Sequence, residues 1–408
     1  MVAWLWVTVA SASGCGPDPV SESLTRFEAL LVQPEGDREL AFAQCLWELG
    51  LRHNAQQHAL EVVRLGPGDP AFSDALSSAM SWSRELGDLY SALPYLRGVS
   101  RRHVADDAGR DDVLLAHGMF LRVTGQPIRA AGVLEEVRAD YPWADRARFQ
   151  LGQALWEANQ LREAVDTWDA VEGQPWVIDA QMARAEALAD WGETADAVTA
   201  LSHVDASDPR AGMARLKQAG WWMRLGDVDE ARQTLVHARQ QGGRAWPQWH
   251  LRWAEVSADA CRTSSVHRHA RALEAEWGPI ALALDGIADS GHPNGRSLYA
   301  QFLGSEPVDM GLPDVLHARA TADPDLMGLL GHLDQIVDER QQLDAIVHPA
   351  FEAILKPHLS DVLQQGEREL QAQAGRLYGR SLAQQRVAVR EALAAGAALV
   401  DSLDRTCR

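Results

Sequence analysis

Between Asp111 and Gly243 the apolar positions recur at helical spacing, and the recurrence itself repeats. Residues that would close a first helix stand at Gly125, Asn159, Gly192 and Gly226, at intervals of 34, 33 and 34 residues. A small residue follows each: Ala130, Ala164, Ala197 and Ala231. Four positions on comes a large apolar residue (Leu134, Trp168, Leu201, Leu235), and three beyond that Val137, Val171, Val204 and Ala238. Offsets of four and seven mark one face of an α-helix. Small residues there let two helices approach closely, while the large ones fill the groove between them. The pattern predicts four tandem helix–turn–helix units, a helical solenoid. Two weaker units precede it, on Gly87 with Ala92, Leu96 and Val99, and on Gly50 with Ala55, Ala59 and Val62. A degenerate seventh pair fits through Ala275.

These residues resemble the tetratricopeptide repeat (TPR). Its Gly slot reads Gly118, Gly152, Ala185 and Ala219, and its closing Pro is present as Pro142 and Pro209. Its early Trp is replaced by Leu114, Arg148, Gln181 and Arg215, and its first-helix aromatic by Leu121, Leu155 and Leu188 before Trp222. The resemblance implies partner binding in a concave groove lined by first helices. Projected from positions 2, 5, 9 and 12 of the units, the groove residues are Leu115, Met119, Arg122, Phe149, Gln153, Trp156, Met182, Glu186, Leu216 and Met223. Aromatic and methionine side chains there suit adaptable recognition of a peptide or helix. Burial by the next repeat or by the carboxy-terminal helices is the competing reading.

Outside the repeats the pattern changes twice. Leu24, Phe27, Leu30 and Leu31 predict an amphipathic helix over Ser21–Val32 that caps the first repeat. Residues 276–325 are rich in breakers, among them Gly278-Pro279, Gly291-His292-Pro293-Asn294-Gly295 and Pro307. They read as an irregular connection with short helices at Arg296–Leu303 and Asp314–Ala320. From 326 to 408 the helical period returns, broken at Pro349, and predicts a carboxy-terminal bundle. Its long last segment holds Gly366, Gly375, Gly379 and Gly396, which suggest close packing or a break. The fold class is therefore all-α: a TPR-like solenoid over 23–275 followed by a helical bundle. Trp246, Trp249 and Trp253 form a stripe on one helix face, read as packing rather than an aromatic ligand groove.

The amino terminus suggests export. Residues 1–14 carry no side-chain charge, and the run Val2–Ala10 ends in small residues before Cys15. This is the apolar core and small-residue end of a secretory signal, too short to span a bilayer as a mature helix. Ala12-Ser13-Gly14-Cys15 resembles the lipobox of bacterial lipoproteins, which implies a lipidated Cys15, a tether over 15–22 and a place in the cell envelope, with Gly16 resembling outer-membrane retention. The alternative is a cytoplasmic protein with an apolar tail. Of the remaining cysteines, Cys45 sits on an apolar helix face and reads as a small core residue. A Cys45–Cys261 disulfide is not expected along a rod-like array.

Composition adds little chemistry. A net charge of −19 argues against nucleic acid, whose phosphates need clustered Lys and Arg. No phosphate-cradling loop, nucleophile elbow or His-Glu-x-x-His is present. His267-Arg268-His269 with Cys261 is the nearest approach to a metal cluster, but residues two apart on a helix diverge. His292-Pro293-Asn294-Gly295 reads as a turn. No catalytic residue, metal or cofactor is expected. The reading that follows is a lipid-anchored, protein- or peptide-binding scaffold, possible in envelope complex assembly; the alternatives are a soluble TPR adaptor or regulator and, less so, an enzyme with its site in the carboxy-terminal region.

Overall fold

The computed structural model describes residues 15, 18–32, 35–100, 103, 109–208, 210–241, 243, 246–290, 316, 320–321 and 323–407. The signal-like segment 1–14, the helix expected at Arg296–Leu303 and the turn at His292 lie outside the described residues, as does most of Asp314–Ala320. Every regular element among the described residues is helical. Contacts divide the chain into two units, 1–141 with 327–374 and 142–326 with 375–408.

The first unit holds α1 (Pro19–Val32), α2 (Gly36–Glu48), α3 (Arg52–Leu65), α4 (Phe72–Glu85), α5 (Arg110–Val123) and α6 (Pro127–Leu134). The second holds α7 (Ala144–Glu157), α8 (Leu161–Asp169), α9 (Trp176–Trp191), α10 (Thr194–Ser202), α11 (Ala211–Arg224), α12 (Val228–Gln240), α13 (Gln248–Asp259) and α14 (Thr263–Ser290). Two later helices, α15 (Pro324–Ala345) and α16 (Lys356–Thr406), contribute to both. The helical carboxy-terminal segment is thus grouped by contact in part with each unit, 327–374 with the first and 375–408 with the second.

All seven pairs close their first helix in the same way. Gly50, Gly87, Gly125, Gly192 and Gly226 have positive φ, and so do Asn159 (60°) and Cys261 (51°) in the equivalent slots. The next residue's N–H then reaches back to a carbonyl five residues earlier: Leu51 to Leu46, Asp88 to Ser83, Gln126 to Leu121, Gln160 to Leu155, Glu193 to Leu188 and Asp227 to Trp222, each at 2.9 Å, and Arg262 to Ser257 at 2.8 Å. This is the Schellman closure, which satisfies carbonyls that a helix end leaves open. Cys261 in that slot makes α13 and α14 the seventh pair.

The second helices then fold back on the first. Ala130, Ala164, Ala197 and Ala231 are fully buried, as are Leu201 and Leu235. A Cβ on Gly118 would overlap Leu134, and one on Gly152 would overlap Trp168, whose indole N–H donates to the Phe149 carbonyl at 3.2 Å. The second helix pair along the sequence, in the first unit, departs from this plan. Pro94 cannot donate a backbone hydrogen bond, and the expected second helix shrinks to a four-residue 3₁₀ turn, Leu93–Leu96.

Two expected breaks are absent. α14 continues through Gly278-Pro279 to Ser290, because Trp277, Ala281 and Leu284 on one face are buried and outweigh the one backbone bond that Pro279 forfeits. α16 runs 51 residues without interruption. Its glycines serve close packing: a Cβ at Gly366 would overlap the His53 ring, and one at Gly396 would come within 2.9 Å of Leu273. Gly366 and His53 meet in the first unit, where Asp88, His332 and His53 form a buried chain. His332 Nδ1 stands 3.1 Å from Asp88 Oδ2, and its Nε2 stands 3.1 Å from His53 Nδ1. With Asp88 as acceptor, each ring donates through Nδ1, so His53 Nε2 is the bare nitrogen facing Gly366. Burial, reinforced by His332, holds the His53 imidazole well below its ordinary pKa. Glu339 completes the docking of α15 by accepting from the backbone N–H of His53 at 2.6 Å and of Asn54 at 3.1 Å.

Nothing lies within 4 Å of a Cβ built at Gly125, so a Gly125→Ala change acts through φ alone. It is expected to cost about 1–2 kcal/mol in urea unfolding, whereas Asn159→Gly, already left-handed, is expected to be neutral or stabilising.

Candidate protein-binding face

The first helices begin ahead of the groove residues named from the sequence. α7 starts at Ala144 and α9 at Trp176, four and five residues before Arg148 and Gln181. A further helical turn therefore joins the face expected to meet a partner. On α7 that face carries Arg146, Phe149, Gln153 and Trp156, at offsets of three, seven and ten residues. On α9 it carries Asp179, Met182 and Glu186, at three and seven. Such spacings put side chains on one side of a helix.

In the first unit, Met119 on α5 is 1% exposed and Leu115 is fully buried. Both pack in the core of their helix pair. Arg122 is half-buried on the same helix. In the second unit Leu216 is likewise fully buried, while Phe149, Gln153, Trp156, Met182, Glu186 and Met223 are half-buried. Phe149 packs against Trp176 with ring centroids 5.3 Å apart, and Trp156 meets Trp168 edge-on at 6.0 Å. Glu186 is paired with Lys217 of α11. Partial exposure of fixed aromatic rings beside paired charges is the composition of a recognition surface.

Arg146 is the residue that the slot count missed. Its guanidinium lies over the rings of Trp143 at 4.6 Å and Trp176 at 5.4 Å, a cation–π arrangement. Nη2 donates to Asp325, at the start of α15. Asp323 caps that helix, accepting from the N–H groups of Asp325 at 2.8 Å and Leu326 at 3.3 Å. Nearby, Asp179 accepts from Arg210 Nη1 at 2.6 Å. Burial, aided by the charge of Asp325, pushes Asp323 up to about 6. Burial also raises Asp179, against the opposing pull of Arg210.

A cavity of about 620 Å³ opens on the opposite face of α9, lined by Gln181, Arg184, Leu188 and Trp191 with residues of α8 and α10. Sequence spacing pointed to the first-helix face and not to this one. Trp246 and Trp249 are buried, so the tryptophan stripe is a packing face. The candidate metal cluster dissolves. Cys261 is bonded to Cys407, and His269 stacks on Trp253 at 6.2 Å. Among the described residues no group of His, Cys, Asp or Glu could hold a metal ion.

Cys15 also has a different partner from the expected lipid. It is 3% exposed and disulfide-bonded to Cys45, with Cα atoms 5.2 Å apart. A lipid thioether and this disulfide exclude one another at a single sulfur. Cys45 is fully buried as expected, but as half of a cystine and with no bond to Cys261. No helix among the described residues is long and apolar enough to cross a membrane.

No protein-family model matches the chain, and no curated protein matches its sequence. Among solved structures it is similar to the nearly identical TPR-like repeats of a putative kinesin light chain from Podosopora anserina, at 16% identity over 47% of this chain and 97% of that one (TM-score 0.31). A tetratricopeptide repeat protein from Parabacteroides merdae is similar at 11% identity over 63% and 93% (TM-score 0.33). Yeast Tom70 is similar at 12% over 86% and 92% (TM-score 0.23). The chain itself is an all-α, TPR-like repeat protein, on the evidence of its own seven helix pairs.

Two substitutions separate core from face and test the charge. Met119→Ala is expected to lower stability by roughly 2–5 kcal/mol, as for other buried methionines, with no specific effect on partner capture. Asp323→Asn keeps a good helix cap and removes a carboxyl that folding pushes upward. A raised carboxyl contributes stability at low pH and loses it as pH rises towards 6. The variant's unfolding midpoint is therefore expected to fall less than wild type's between pH 4 and pH 6.

Proposed function

We propose that this protein is an exported scaffold that binds a peptide or helix of a protein partner on the first-helix face of α7, α9 and α11. The observation that carries this reading is the row of half-buried side chains on that face, Phe149, Gln153 and Trp156 continuing into Met182 and Glu186. Rings already fixed against their neighbours lose little further freedom when a partner covers them. The family resemblance supports a protein partner, since the repeats of that family bind through this face.

The cysteines support the compartment. Cys15–Cys45 and Cys261–Cys407 use all four cysteines of the chain. Disulfides persist in oxidising compartments and are rare in the cytosol, which favours the cell envelope or beyond over a cytosolic adaptor. An envelope location here rests on the cystines and the signal-like segment, without a lipid on Cys15.

Two measurements test this reading. Trp156→Ala is expected to reduce capture of the native partner at least tenfold in pull-downs, with helicity by circular dichroism unchanged; full capture by a folded variant would remove the face. Mass spectrometry of the native protein under non-reducing conditions is expected to find the Cys15 and Cys45 peptides joined. A diacylglyceryl group on Cys15, or four free thiols, would reject the arrangement.

A further inference from the structure

The cavity beside α9 is built from three helix faces. α9 supplies Gln181, Arg184, Leu188 and Trp191, at offsets of three, seven and ten residues. One wall is α8, with Arg162, Asp166 and Asp169; the other is α10 and its cap, with Asp196, Thr199 and His203. The walls are equivalent in the repeat, since Arg162 matches Asp196 and Asp169 matches His203, each 34 residues apart. Acid on one wall therefore stands at the place of base on the other. Val165, Trp168, Val171 and Leu188 form a buried apolar base. A volume of about 620 Å³ falls among small-molecule sites, which span roughly 300–1,000 Å³.

Two polar atoms on α9 are unmet. Arg184 Nε and Gln181 Oε1 are buried and have no hydrogen-bond partner among the described residues. Arg184 reaches Asp169 through Nη2, at 3.1 Å. The same two residue types recur 34 residues on, on α11, in reverse order as Arg215 and Gln218. There they close on one another and on α10. Arg215 Nη1 donates to the Leu201 carbonyl at 3.0 Å and to Gln218 Oε1 at 3.1 Å, and Gln218 Nε2 donates to the Val198 carbonyl at 2.9 Å. A buried donor or acceptor left unmet costs free energy. With the order reversed on α9, one of each is left among the residues that line the cavity.

We propose that this cavity is a binding site for a neutral saccharide of one or two rings. A hydroxyl both donates and accepts. One sugar hydroxyl placed between Arg184 and Gln181 thus accepts from the Nε–H and donates to Oε1. Trp191 is 46% exposed at the end of α9, and its indole offers a plane to the apolar C–H face of a pyranose ring. Arg162 and Asp196, both exposed at the rim, serve further hydroxyls as donor and acceptor. A charged ligand of either sign meets like charge on one of the walls, and a wholly apolar ligand leaves the pair on α9 unmet. The site adds a small-molecule ligand to the protein-binding reading and does not depend on it.

The probes are maltose, cellobiose and N,N′-diacetylchitobiose, the last two beside charged twins, cellobiouronate and chitobiose. Binding to the full chain is detected by saturation-transfer NMR and titrated by calorimetry. At least one neutral disaccharide is expected to bind with a millimolar or lower dissociation constant, and the charged twins at least tenfold more weakly. Trp191→Ala is expected to weaken that sugar at least tenfold with helicity unchanged. Gln181→Met keeps the length of the side chain and removes the acceptor. It is expected to weaken binding at least tenfold while the urea midpoint stays the same or rises, because an unmet buried group is deleted. Failure of all three disaccharides to bind would overturn the proposal, as would tighter binding of either charged twin or undiminished binding in Trp191→Ala. A lower urea midpoint in Gln181→Met would also overturn it, by making the pair part of the packing.

Discussion

The fold depends on how each first helix ends. A helix that stopped without closure would leave its last carbonyls open, and its successor would leave at no fixed angle. The left-handed residue and the bond from the following N–H to a carbonyl five residues back settle both at once. Because the closure is the same at seven first helices, each chain reversal starts from the same geometry, even where the return is only the 3₁₀ turn Leu93–Leu96. The alanines and glycines at the contact can then be small without leaving voids. The closure tolerates different residues where their chemistry allows: Asn159 adopts the conformation readily, and Cys261 is held there as part of a cystine with Cys407.

This is why the repeat region was legible in the sequence. Its determinants are local: the closing residue, the small residue after it and the large one four further on all lie within one pair. Even the degenerate seventh pair could be placed. What could not be placed depends on contacts distant in sequence. Gly366 reads as a weak point in an isolated helix until His53 is seen against it. Pro279 reads as a break until Trp277, Ala281 and Leu284 are seen buried. The carboxy-terminal segment has helical period enough to be recognised as helix, but period does not name the surface it packs on.

The candidate face was legible in part, for a related reason. The residues named on α7 began at Phe149, and Arg146, one helical turn earlier on the same face, was not among them. Met119, Leu115 and Leu216 failed in the opposite sense: offsets within a unit identify a helix side, but the width of the buried stripe depends on the neighbouring helix. Among short cues, Trp143, Arg146 and Trp176 carried the missed signal. An arginine flanked at one repeat's distance by tryptophans is a place where a buried charge could be tolerated, though the carboxylate that meets it comes from a segment 179 residues away.

Burying acidic groups is where this protein departs most from a plain packing solution. In the first unit Glu339 is pushed up to about 6 mainly by burial, yet it accepts from His53, Asn54 and the Asn54 side chain together. Its lone pairs are met, so it acts as a docking point for α15. At the start of the same helix, in the second unit, Asp323 is raised to about 6 by burial as well. There the balance is different: among the described residues Arg146 keeps an unmet donor and Asp179 an unmet acceptor. A satisfied buried carboxylate rigidifies its site, and a half-satisfied one is costly. The contrast between two ends of one helix separates a satisfied docking point from a half-satisfied contact.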